Sequence, residues 1–534
     1  MMRARMHWTG SGRSGRCRSD DLGDGPGRTV VSDEVRPWAA LWALCLGFFM
    51  ILVDTTIVAV ALPVLRTSLD TDIGSVMWVH SSYLLSYAVP LLITGRLGDR
   101  FGQKQVYLIG LVIFTLSSIW CGFAGGVAML IVARVLQGFG AALMSPQTMA
   151  VITRVFPPER RGQAMGMWGA VAGAATLVGP LLGGVLVGSL GWEWIFFVNV
   201  PVGVVGFFLV WFFVPVLPRR SHRFDVIGVV LSGIGMFLLV FGIQEGQRYG
   251  WGTISGIVSV PLLITVGVFF LGVFVLWQAR TRGEPLVPLR LFKDRNFSLA
   301  NIAIITVGGA VTSMTIPLML YLQSVLGLSP MGAAVLASPM AVLSGVLAPF
   351  VGRLVDRVHP RYIAGPGLFL LSSSMAWVGL ALRPDISLWE LLVPIALMGV
   401  ASACVWSPLS VSATRNLTMD VAGAGAGVYN TTRQVGAVLG SAMLTAAMEA
   451  RLQAHGVSSE AGHTAGTVVQ QLPEPLRDGF SRAMGEALLL PAAALVIGVV
   501  AVLFFARPAH MGGPRRRPGA DASRVVTQVP SRKI

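Results

Sequence analysis

Residues Gly95–Gln105 read GRLGDRFGQKQ, and 257 positions later Gly352–Tyr362 read GRLVDRVHPRY. The shared G-R-L-x-D-R marks an internal repeat. What lies between the two copies decides the fold, because the intervening chain is a series of apolar runs close to the ~20 residues that cross ~30 Å of hydrocarbon. Fourteen such runs are legible, at 38–60, 76–94, 106–124, 127–149, 166–188, 194–214, 226–244, 254–277, 297–321, 332–351, 362–382, 388–409, 423–447 and 486–506. The two copies follow the second and the tenth run. An even offset of eight spans keeps the chain direction, so two six-helix units with two extra helices between them account for the repeat.

Composition agrees with a chain solvated by lipid. Hydrophobic residues make up 54% and charged residues 12%, against about 25% charged in ordinary globular domains, and mean hydropathy is +0.71. The runs do not alternate over about ten residues, which excludes a porin-like barrel. Of the 40 Lys and Arg, 32 fall on one side if the N-terminus is cytoplasmic, six on the other, and Arg134 and Arg433 lie inside helices. The positive-inside rule then puts both termini in the cytoplasm. The net charge of +15 follows from this orientation and from anionic lipid, so nucleic acid is not expected as a partner.

The expected organisation is a disordered cytoplasmic tail over 1–37, a six-helix half over 38–214, two inserted helices over 226–277, and a cytoplasmic linker over 278–296. A second half follows over 297–506, with a polar outer loop at 449–485, and a cytoplasmic tail over 507–534. The linker reads either as an amphipathic helix on the membrane surface or as a plain strap. Cys17, Cys45, Cys121 and Cys404 show no ligand or disulfide spacing. Lys104, Lys293 and Lys533 are not preceded by glycine, so no Walker A loop exists. With no metal cluster, no nucleophile elbow and no cofactor motif, the expectation is a non-enzyme that moves a solute along a gradient.

Five stretches, in order, then resemble the major facilitator superfamily and, within it, the fourteen-helix drug:proton antiporters. They are LVDTTIVAVALP (Leu52–Pro63), the loop GRLGDRFGQKQ, RVLQGFGAA (Arg134–Ala142), GAATLVGPLLGG (Gly173–Gly184) and GWEWIFFVNVPVG (Gly191–Gly203). The likeness covers residues 38 to 506. It implies an all-α membrane fold and proton-coupled export of hydrophobic drugs or antibiotics by alternating access. Export of one specific host metabolite, or a sensor or scaffold that keeps the fold without transport, stay as alternatives.

The residues carry their own physical reading. Asp54 is the one acidic residue clearly inside a span. A buried arginine costs at least ~2.5 kcal/mol and needs a partner. Arg134 lies roughly 10 Å deep and Asp54 roughly 14 Å at 1.5 Å per residue, so the two are expected to pair. Asp54 either exchanges a proton or only balances Arg134. In the loop, Gly95, Gly98 and Gly102 permit a tight turn, Asp99 suits a helix N-terminus, and Arg100 and Lys104 suit a helix C-terminus or lipid phosphate. Asp356 and Arg357 repeat the pattern; a switching role and a purely topogenic one both fit. Gly173, Gly179, Gly183 and Gly184 read as one small-residue face beside Pro180, which bends the rod. The resemblance adds that this pattern marks exporters.

Tyr83 and Tyr87 with Gln137, and Tyr429, Asn430, Arg433 and Gln434 on the thirteenth span, are candidates to line a substrate cavity. That span has no carboxylate before Glu449, which favours neutral, monocationic or anionic amphiphiles. The expected partners are the lipid bilayer, protons and a small hydrophobic substrate acting on a monomer; the need for a periplasmic adaptor stays open here.

Overall fold

In a computed structural model the chain is described over residues 36–71, 73–218, 225–246, 248–281, 284–418, 421–457 and 472–506. The expected tail 507–534 therefore lies outside the described residues, and so does the tail 1–37 apart from Arg36 and Pro37. The described residues hold seventeen α-helices: α1 Pro37–Ser68, α2 Ile73–Ala88, α3 Leu91–Phe101, α4 Gln103–Gly122, α5 Val127–Val155, α6 Arg161–Ser189, α7 Trp194–Phe197, α8 Asn199–Phe213, α9 Val226–Glu245, α10 Val260–Arg280, α11 Arg295–Ser313, α12 Thr315–Ser324, α13 Pro330–Arg357, α14 Arg361–Ala381, α15 Leu388–Thr414, α16 Ala422–Ala454 and α17 Glu474–Leu503. Hydrocarbon offers no partner for a free N–H or C=O, so each apolar run closes its backbone bonds within a helix.

Thirteen helical segments are long and apolar enough to span a membrane, α7 with α8 and α11 with α12 each counting as one. A fourteenth span is formed by α2 and α3, which meet at a 47° bend. Pro90 sits at that break, where it lacks an N–H and its ring obstructs the preceding turn. The fourteen expected spans are thus present in order.

Their ends differ from the sequence expectation in three places. The eighth run begins not as helix but as an antiparallel hairpin, Thr253–Ser255 with Val258–Ser259. β-branched residues around Gly256, whose φ is +52°, favour the hairpin. Helix α10 starts only where Ser259 caps Leu262 and Pro261 occupies the first turn. The outer loop expected over 449–485 is shorter at both ends, because α16 continues to Ala454 and α17 begins at Glu474, with residues 458–471 outside the described set. Polar residues that read as loop instead continue or cap α16: Arg451 and His455 meet Glu486 of α17 at 3.1 Å and 3.2 Å.

The linker is no amphipathic α-helix but a strap with one 3-10 turn, Leu289–Lys293. Its Leu286, Val287 and Leu291 are buried against protein. Asp225 fastens it. The carboxylate caps α9 by accepting from Gly228 N at 2.8 Å, and accepts from Trp277 Nε1 at 2.9 Å, Gln278 Nε2 at 2.7 Å and Leu286 N at 3.3 Å. Burial alone raises its pKa, but these donors outweigh burial and hold it below the usual carboxylate value.

Helices α1 to α8 pack mainly among themselves, as do α11 to α17. The sets meet where α6 lies along α13, where α3 and α5 meet α16, and where α15 meets α6. Helices α9 and α10 pair, and α9 leans on α2 and on α16, one span from each set, through Leu85, Met236, Val240 and Val438.

Candidate functional site

The carboxylate of Asp54, on α1, has no solvent exposure. Its Oδ2 accepts from Arg134 Nη1 at 2.6 Å, and its Oδ1 accepts from Gln137 Nε2 at 2.9 Å and from Asn199 Nδ2 at 3.0 Å. Arg134 is equally enclosed: its Nε donates to Val79 O at 3.1 Å, Nη1 also reaches Gln137 Oε1 at 2.6 Å, and its Cζ sits 4.0 Å over the Tyr83 ring. Ser118 Oγ closes the cluster by accepting from Gln137 at 2.6 Å and Asn199 at 3.2 Å. Five helices, α1, α2, α4, α5 and α8, therefore converge on one buried ion pair. The depth match expected from helix rise is contact.

This arrangement fixes what a proton can do. Both carboxylate oxygens face donors, so a proton added to Oδ2 would point at a guanidinium; it can stay only if Arg134 draws away. A pocket of about 450 Å³ opens among Val64, Leu69, Gly125, Trp192 and Glu193. Val64 lies ten residues along α1 from Asp54, roughly 15 Å at the helical rise, and Ile57, Val58 and Ala61 fill the interval.

Two of the cavity candidates are corrected by this geometry. Tyr83 and Gln137 have no exposure; they complete the Asp54 cluster rather than a cavity wall. Tyr87 differs, since its hydroxyl bonds Ser145 Oγ at 2.9 Å and lies 3.5 Å from Nη2 of Arg433 on α16. Tyr429, Asn430 and Gln434 are buried on the same helix. Sequence reading missed Ser118, Asn199 and Ser145. Asn199 had a signal, as a lone amide in the apolar run WIFFVNVPVG; the serines had none.

The two repeat stretches form the second site, and they are largely helical where a loop was expected: Gly95, Gly98 and Asp99 lie in α3, Asp356 and Arg357 in α13, and of the three glycines only Gly102 falls in the turn. Asp99 accepts from the backbone N–H of Gly423 at 3.2 Å and Ala424 at 3.1 Å, the first turn of α16. Asp356 accepts from Gly162 N at 2.7 Å and Gln163 N at 3.0 Å, the first turn of α6. Each carboxylate thus meets the positive end of a helix in the other set. Asp99 is also paired with Arg154 at 2.6 Å. Arg415, which follows α15 as Arg154 ends α5, has no partner on its guanidinium, and burial pushes its pKa down to about 10 against the pull of Asp356. Lys104 donates to Trp211 O near the end of α8 at 2.6 Å, Arg100 lies over Phe101, and Arg357 is exposed. Gly102 has φ +98°, and a side chain on Gly95 would meet Gly423 O at 2.5 Å.

The glycines of α6 are not one face. Successive residues turn by about 100°, so Gly173 and Gly184 share a direction and Gly179 with Gly183 point elsewhere. Accordingly a Cβ on Gly173 would face Gly345 N at 3.2 Å and one on Gly184 Met331 at 3.4 Å, both on α13, while Gly179 faces Thr56 and Gly183 faces Ile57 on α1. The contact with α13 continues through Gly162 and Gly166 against Gly352. Pro180 lies within α6 on this glycine-rich stretch.

Comparison with known proteins adds three findings. The family model described as Major Facilitator Superfamily matches residues 44–441. The chain is 52% identical, over 88% of its length and 81% of the relative, to an uncharacterised MFS-type transporter, Rv1250, of Mycobacterium tuberculosis, and 34% identical, over 78% and 77%, to the tetracenomycin C resistance and export protein of Streptomyces glaucescens. The fold is similar to the proton:xylose symporter XylE with TM-score 0.57 at 14% identity, over 88% of this chain and 94% of the other.

Proposed function

The chain belongs to the major facilitator superfamily and is a multi-pass membrane transporter, and on that premise we propose that it exports small hydrophobic drugs or antibiotics in exchange for protons. This reading places both termini in the cytoplasm, by the excess of Lys and Arg on that side, and takes the working unit as a monomer. Export is supported by relatives named for antibiotic and multidrug resistance.

The observation that carries the coupling is the buried pair of Asp54 and Arg134. A desolvated ion pair holds helices together no better than apolar residues of the same shape, whereas a carboxylate in such a place can take up and release a proton. A proton from outside displaces Arg134 from Asp54, and the freed guanidinium loosens α2 and α5 at Val79 and Gln137. On this reading Asp99 and Asp356 hold the cytoplasmic ends of the halves shut while the opposite side opens, and the glycine seam of α6 and α13 is where the halves rock.

The test is uptake of a hydrophobic dye into proteoliposomes under an imposed pH gradient. Uptake is expected to follow the gradient, to stop with a protonophore, and to fall at least about tenfold in Asp54→Asn, as loss of a charge-assisted bond implies. Gradient-driven uptake that survives Asp54→Asn unchanged sinks the coupling mechanism.

A further inference from the structure

Between the two halves sits a cation that the Asp54 cluster does not use. Arg433 is half-buried in the middle of α16. Its one side-chain partner is the Tyr87 hydroxyl, at the long distance of 3.5 Å, and its Nε is buried with no partner. No carboxylate among the described residues pairs with it. Asp54 is saturated by Arg134, Gln137 and Asn199. One helical turn from Arg433, and so on the same face, the fully buried Tyr429 has a hydroxyl without a partner. The Tyr87 hydroxyl is anchored to Ser145 of α5, and its ring stacks on Tyr83 at 6.2 Å. Met149, beside Asn430, adds an apolar surface.

We propose that Arg433 and Tyr429 form the anchor of a binding site for amphiphilic organic anions, so that the exported substrates include compounds carrying a carboxylate, sulfonate or phenolate on an aromatic body. This rests on the exporter reading above and narrows it. The guanidinium presents a planar fork that matches two oxygens of an oxyanion, and the phenol supplies a further donor. In a poorly solvated interior an unpaired positive charge attracts an anion and repels a cation. Tyr87, backed by the enclosed Tyr83 ring, offers an aromatic face beside that charge. Because Arg433 belongs to α16 and Tyr87 to α2, the anion would be held by both halves and released as they part.

The probes are 1-anilinonaphthalene-8-sulfonate, its neutral counterpart N-phenyl-1-naphthylamine, and cationic ethidium, each measured for uptake into proteoliposomes holding the full chain under a pH gradient. The wild type is expected to move the sulfonate, and Arg433→Gln to lose about tenfold or more of that uptake while the neutral probe changes less than about twofold, the difference set by a charge-assisted hydrogen bond. Arg433→Lys should restore most of it, and Tyr429→Phe should lower it less than Arg433→Gln does; both report that the helix still folds. Equal loss for all three probes in Arg433→Gln overturns the proposal. Transport of ethidium without the sulfonate overturns it while leaving the exporter reading intact, and no gradient-driven movement of any probe overturns both.

Discussion

Asp99 and Asp356 hold reciprocal positions: each sits in the last turn of its own helix, α3 or α13, and caps the first turn of a helix in the opposite half, α16 for Asp99 and α6 for Asp356. The two caps are unequal. Asp99 adds a buried bond to Arg154 at 2.6 Å, and Asp356 has no ion pair among the described residues. Removing the Asp356 charge costs about 1 kcal/mol, the worth of a carboxylate on a helix end; removing Asp99 also strands Arg154 and costs about 3 kcal/mol.

The first prediction follows from that difference. In a cysteine-free background with Ser407→Cys, a position buried against Gly162 O, Asp356→Asn should raise labelling by a membrane-impermeant maleimide about fivefold. Asp99→Asn should raise it more. Equal effects would show that Arg154 adds nothing to the closure.

A second prediction separates balance from coupling at Asp54. Asp54→Asn and Arg134→Gln should each lower the melting temperature, because one charge of a buried pair is left alone at a cost of about 3 kcal/mol or more. The double variant should recover most of that stability while gradient-driven transport stays absent. Recovery of transport in the double variant would reduce Asp54 to a counter-charge.

A third concerns the seam between α6 and α13. A Cβ on Gly166 would meet Ala348 O at 2.5 Å and Gly352 Cα at 2.9 Å, whereas one on Gly169 meets nothing closer than 3.8 Å. Gly166→Ala should therefore destabilise the protein by about 1–3 kcal/mol and slow transport severely, and Gly169→Ala should do neither. Thermal unfolding followed by tryptophan fluorescence, with dye uptake on the same preparations, checks both.

A fourth uses pH. Asp225 is a carboxylate whose folded pKa lies below its usual value. Its stabilisation is therefore complete above the unfolded value and is lost as pH falls through the lower folded one. The melting-temperature gap between wild type and Asp225→Asn should stay constant from pH 8 to 5 and close only below about pH 4. A gap that narrows between pH 8 and 6 would mean that another group carries the effect.

Much of this was legible in the sequence for one physical reason: a membrane helix must run straight through a slab of fixed thickness. Counting residues from each end placed Asp54 and Arg134 at one depth before any contact was known, and the period of the repeat gave the order of spans. What escaped depends on rotation and on neighbours. Gly173 and Gly179 are six residues apart, about 240° around the helix, so a stripe in print became two faces in space. The aspartate of each loop signalled a helix N-terminus but not which one, because the partner lies in the other half. Ser118 and Ser145 carry no pattern at all. The extended ends of α16 and α17 were hidden because polar residues such as Arg451 and His455 read as solvated loop until they pair with Glu486.

The contact of α9 with both halves has a mechanical consequence. Leu85, Met236, Val240 and Val438 meet there without a hydrogen bond between them, so the surface has no fixed register to break. If the halves rock as proposed, α2 and α16 would slide past α9, and a greasy contact would let them do so at little cost. The inserted pair is then less a seventh and eighth member of the machine than its bearing, guiding the direction of travel while leaving the latches at the loop ends to set the threshold.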